Sequence, residues 1–166
     1  MTMPMQQLAQ WLEETSVAVW VKESQYGFAI VVGAHLLSLM LSVGMLVWFD
    51  LRLLGVSMLR IPVSRLYRQL MPWILTGFAL MFASGGVLMA AYASAAFANV
   101  FFRVKVVAIL LAGANAVVYH RVTERQIARW DEARRPSRPA QAAGLISIVL
   151  WASVILAGRA MSYTIF

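Results

Sequence analysis

A chain of 166 residues that is 61% hydrophobic and only 13% charged carries about half the charged fraction of an ordinary soluble domain. Its apolar residues fall in runs that approach the length needed to cross a ~30 Å hydrocarbon layer, so a water-soluble core and a sizeable extramembrane domain are both excluded. The net charge of +7 lies on residues flanking those runs, which is the pattern of membrane topology rather than of a nucleic-acid groove.

The first fifteen residues are uncharged and then acidic, without the basic and apolar regions of a cleaved signal peptide. The first spanning helix is therefore expected to be the targeting element. Pro4 opens a short helix in which Leu8, Trp11, Leu12 and Thr15 share one face, opposite Gln6, Gln7, Gln10, Glu13 and Glu14. That face predicts an amphipathic surface helix, with Trp11 as an interfacial anchor and residues 1–24 forming an outer interfacial segment.

The first span is expected over residues 26–49, with His35 as its only titratable interior group and Gly33, Ser38, Ser42 and Gly44 as small or polar contact positions. Asp50 and Arg52 close it, and Asp50 is expected to pair with Arg52 or Arg121. A basic connector follows over residues 50–71, expected to lie against the interface. The second span covers residues 72–93 and places Pro72 in a first helical turn, where a missing amide hydrogen costs nothing. A short turn from Ala95 to Val100 leads to the third span, residues 101–119, where Ala108, Ala112 and Ala116 form a ladder of small residues. A second basic connector, residues 120–141, opens with a segment able to form a helix and ends in an irregular stretch broken by Pro136 and Pro139. The fourth span covers residues 142–160, with Trp151 deep enough for packing.

Ten of the fourteen Lys and Arg residues lie in the two connectors: Arg52, Arg60, Arg65 and Arg68 in the first; Arg121, Arg125, Arg129, Arg134, Arg135 and Arg138 in the second. The positive-inside rule puts both connectors in the cytoplasm and both termini in the periplasm of a bacterial inner membrane. The expected architecture is an all-α integral membrane protein, a bundle of four transmembrane helices with a short amphipathic N-terminal helix.

A polar side chain as deep as His35 should face protein, ligand or trapped water. Three roles stay open for it: a hydrogen bond to another helix, a contact with haem b or a quinone, and proton or metal handling with His35 as the metal ligand. Lys105 lies about four residues inside the third span, close to the depth of His35 on the helix-rise estimate. It and Arg103 nearer the surface could meet a haem propionate or an anionic quinone-like head group, or else snorkel to lipid phosphate. Asn115 and His120 complete the candidate set, although His120 stands roughly 15–20 Å from His35 along the axis. One haem cannot bridge that separation, so a bis-histidine cytochrome within one chain is disfavoured. No cysteine is present, which excludes disulfides, thiolate metal sites and a cysteine nucleophile, and no phosphate-binding loop, dinucleotide fingerprint or zinc spacing appears. The ten methionines are dispersed as flexible packing residues.

The ordered set HLLSLMLSVG, FDLRLLG, PWILTGFAL and FRVKVVAILLAGANAVVYHR resembles an uncharacterised family of small bacterial inner-membrane proteins grouped as a domain of unknown function. Its motif positions fall on His35, Asp50, Arg52, Pro72, Arg103, Lys105, Asn115 and His120. The resemblance implies a four-helix membrane module and brings no established reaction with it. The expected function is an accessory or electron-transfer subunit with a haem or quinone contact at His35. The alternatives are a non-catalytic scaffold whose connector binds a partner or anionic lipid, and a small transporter. Expected partners are lipids, a membrane or periplasmic redox protein and a second copy of the chain, with no nucleic acid.

Overall fold

The computed structural model describes residues 3–123, 131 and 136–165. Four helical rods in it are long and apolar enough to cross a membrane: Gly27–Leu53, Val63–Ala91, Val100–Arg121 and Arg138–Thr164. The protein is an all-α integral membrane protein built as a four-helix bundle, the arrangement lipid demands when every backbone amide must be satisfied within its own segment.

Two short helices lead into the bundle, α1 (Met3–Glu13) and α2 (Ser16–Glu23). The first rod consists of α3 (Gly27–Leu39), a π-helical turn over Met40–Gly44, and α4 (Met45–Leu53). The second is α5 (Val63–Ala91). A six-residue helix, α6 (Ala93–Ala98), joins it to α7 (Val100–Val118), which passes into a second π-helical turn at Tyr119–Thr123. The fourth rod is α8 (Arg138–Ile165).

The rods run beyond the hydropathic stretches because amphipathic turns extend them. Residues 63–71, expected as connector, are the first turns of α5: Val63 and Leu66 are buried while Arg65 is exposed. Pro72 therefore lies inside a helix rather than in its first turn. Its carbonyl accepts a hydrogen bond from the Thr76 hydroxyl at 2.9 Å. The first-turn proline is instead Pro139 of α8, in a stretch expected to be irregular. The turn expected after the second span is the helix α6. Residues 124–130 and 132–135 of the second connector, with Arg125, Arg129, Arg134 and Arg135, lie outside the described residues.

The rods associate as two pairs. α3 lies along α5, and α7 packs most extensively on α8. Extended backbone packing between the pairs comes from α4 on α8, where a Cβ added to Gly144 would stand 3.0 Å from the Asp50 carbonyl and 3.2 Å from the Leu53 Cβ. An apolar layer of Val43, Met81, Ala108, Ala112, Trp151 and Val154 closes the middle of the bundle, with the Trp151 and Phe78 ring centroids 4.8 Å apart.

The small residues of the second and third rods serve separate contacts. Gly77 of α5 meets Ser42 in the π-helical turn, Gly85 meets His35, and Ala108 and Ala112 of α7 sit in the layer with Trp151 and Val154 of α8. At the end carrying both termini, α1, α2 and α6 pack over the rods through Ala9, Ala18, Val21, Ala91, Ala93 and Ala96. The Glu13 carboxylate accepts from the Ser94 backbone amide at 2.6 Å, and Lys22 stands 3.8 Å from the same carboxylate.

Candidate functional site

His35 is placed by α3 and held by α5. Its Nδ1 lies 3.1 Å from the Met81 carbonyl oxygen and 3.1 Å from the Ser84 hydroxyl. The ring reaches those partners because Gly85 has no side chain, and a Cβ there would stand 3.1 Å from His35 Cε1. A carbonyl oxygen only accepts, so Nδ1 carries the proton. The Ser84 hydroxyl already has a nearer acceptor in the Leu80 carbonyl, 2.7 Å away. In the neutral ring the remaining nitrogen, Nε2, then holds a lone pair. Among the described residues Nε2 has no hydrogen-bond partner. His35 therefore faces the second helix.

Lys105 approaches from the other helix pair. Its side chain lies across Gly158 of α8, where an added Cβ would stand 3.6 Å from Nζ and 3.8 Å from Cε. The ammonium is half-buried and has no hydrogen bond or ion pair among the described residues. It stands on the helix pair opposite to the one that holds His35. Between the apolar middle layer and the terminal cap, the bundle thus has a polar layer with half of its groups on each pair. Beside it, an open apolar groove runs between α3 and α5, lined by Ile30, Ala34, Ser38, Leu80, Ala83 and Ser84. Ser84 belongs to both the groove wall and the histidine's hydrogen bonds.

The other candidates are placed elsewhere. Arg103 is exposed and donates to the Phe97 carbonyl at 3.4 Å. Asn115 donates to the Ala143 carbonyl at 3.0 Å, joining α7 to α8. His120 stands at the connector end, its Nε2 3.2 Å from the Tyr67 hydroxyl and its ring edge-on to that of Tyr67. Among the described residues no hydrogen bond or ion pair joins any two of the five. Among the described residues no group of three or more His, Cys, Asp or Glu gathers around a metal position.

The connector end carries a second set of polar contacts with different partners from those expected. The Asp50 carboxyl bonds to the Ser147 hydroxyl of α8 instead of Arg52 or Arg121. Arg52, fully buried, sends Nε to the Ile61 carbonyl at 2.9 Å and another guanidinium nitrogen to the Asp131 carbonyl at 3.4 Å. The Asp131 carboxylate accepts from the Ser64 amide at 2.7 Å and from its hydroxyl at 2.6 Å, which caps α5. Sequence reasoning missed Asp131, since nothing local separates it from its charged neighbours.

A family of unknown function (DUF6644) matches residues 9–164. The chain belongs to this family. No curated protein and no solved structure matches it. Membership covers nearly the whole bundle and brings no reaction with it.

Proposed function

We propose that this member of the family is an accessory electron-transfer subunit of a bacterial inner membrane, with both termini periplasmic, and that His35 and Lys105 contact a quinone head group. The observation that carries the reading is the His35 ring itself. It is fixed on Nδ1 by α5 and left with a spare Nε2 inside a spanning helix, with an unpaired ammonium on the opposite helix pair. Ionisable groups inside a membrane span are costly and gather where a ligand or a proton needs them. The groove beside Ser84 supplies an apolar lane for a prenyl tail.

Quinone is favoured over haem b. A haem ligated by His35 would need a second axial group or an open coordination position, and His120 is occupied with Tyr67 at the other end. Electrons would pass to or from a membrane or periplasmic redox protein, because the chain offers no cysteine and the described residues gather no metal site.

The test is purification with native lipids, solvent extraction of quinones, and reduced-minus-oxidised spectra for haem. Quinone is expected near one equivalent in the native protein and is expected to be lost in His35→Leu. Absence of both quinone and haem from a preparation that retains its lipids would sink the reading. A stoichiometric protein partner in such a preparation would favour a scaffold instead.

A further inference from the structure

The hydrogen bonds of His35 carry a more specific consequence, which rests on the quinone reading. We infer that the site selects the reduced, hydroxyl-bearing form of the quinoid over the oxidised form. The Met81 carbonyl can only accept, and the Ser84 hydroxyl stands 2.7 Å from the Leu80 carbonyl, so both partners of Nδ1 draw a proton onto that nitrogen. Nε2 of the neutral ring is then an acceptor. A hydroquinone O–H donates to it directly. A quinone carbonyl has no hydrogen to give, and would set one lone pair against another.

Lys105 does not discriminate in the same way. It is donor-only, so it donates equally well to a hydroxyl or a carbonyl oxygen. A hydroquinone can satisfy both groups, with a hydroxyl donating to His35 and an oxygen accepting from Lys105; a quinone can satisfy only the lysine. One hydrogen bond gained, against one acceptor left facing an acceptor, corresponds to about a tenfold difference in affinity. Selection lies in the tautomer, and the tautomer is fixed by the Met81 carbonyl and the Ser84 hydroxyl of α5.

Two measurements on the full-length protein in quinone-free phospholipid nanodiscs test this. The first is the 15N spectrum of histidine-labelled protein, with the two ring systems told apart by the signals lost in His120→Gln. If that variant fails to fold, His120 is assigned instead by its response to Tyr67→Phe. The expected result is a protonated Nδ1 and a bare Nε2 for His35. The second is binding of a decyl-tailed hydroquinone, kept reduced under argon, against the matching benzoquinone. The hydroquinone is expected to bind about tenfold more tightly. A protonated Nε2 with a bare Nδ1, or equal or reversed affinities, overturns the selection while leaving a quinone contact in place. Saturable binding of neither form overturns both this inference and the reading beneath it.

Discussion

Replacing Gly77 with alanine adds one methyl group at the closest point between the first two rods. Its Cβ would stand 2.7 Å from the Ser42 backbone nitrogen, 2.9 Å from the Ser42 Cβ and 3.0 Å from its Cα. Ordinary contact begins near 3.4 Å, so the rods must separate by about 0.7 Å or the π-helical turn must shift. The obstacle is backbone on a helix that is itself packed, and it cannot swing away as a side-chain tip could. Over-packing of this kind costs about 1–3 kcal/mol, partly offset by a gain of up to ~1 kcal/mol in helix propensity. The net expectation is a loss of about 1–2 kcal/mol. Gly86 is the internal control, because a Cβ there meets nothing within 4 Å, and Gly86→Ala should match or exceed the parent. Both variants would be unfolded reversibly in mixed micelles and followed by tryptophan fluorescence. Equal stability for Gly77→Ala and Gly86→Ala would refute the close approach at Ser42.

Asp131→Ala removes the cap on Ser64, and should lower stability in the same assay by about 1–2 kcal/mol; an unchanged midpoint would contradict the capping role. Arg52→Met leaves the Ile61 carbonyl without its donor and should cost on the order of 2–3 kcal/mol, while Arg60→Met, at an exposed position, should fall within about 0.5 kcal/mol of the parent. Asn115→Leu cuts the bond from α7 to the Ala143 carbonyl, and an interhelical bond in lipid is worth about 0.6 kcal/mol, so a loss beyond ~2 kcal/mol would mean that Asn115 does more than join two helices. Gly158→Leu should displace the Lys105 stem and weaken quinone binding, whereas Gly158→Ala, whose Cβ would sit at ordinary contact distances, should leave binding near the parent value.

The four spans and the depth of His35 are legible in the sequence because hydropathy and helix rise act residue by residue. The start of α5 was also written there. Val63, Leu66 and Leu70 recur at helical spacing and are buried or half-buried, but Arg65 and Arg68 interrupt the apolar run, so the first turns read as connector. The partner of His35 was not legible. A backbone carbonyl such as that of Met81 has no letter of its own, and Gly85, which lets the ring approach it, is one of several small residues in that span. The π-helical turn at Met40–Gly44 likewise depends on how Ser42 meets Gly77, a tertiary match that neither segment reveals alone. Asp131 belongs to a charged stretch in which its neighbours had the same claim on any cap.

Lipid gives helices no solvent-driven reason to associate, so what joins the two pairs must be shape and polar bonding. Both are concentrated toward the connector end: Gly144 against Asp50 and Leu53, Asp50 to Ser147, and Arg52 with Asp131 across the mouths of the first two rods. The polar layer lies beyond that clamp, on the terminal side of the Trp151 layer, where α3 with α5 and α7 with α8 hold together as separate pairs. Each pair orients its own half of the layer: α5 fixes the His35 ring, and Gly158 gives the Lys105 stem its lane. The distance between the halves is left to the clamp and the apolar middle. Orientation is thus set within each pair and separation between the pairs, a division compatible with the head-group contact proposed above.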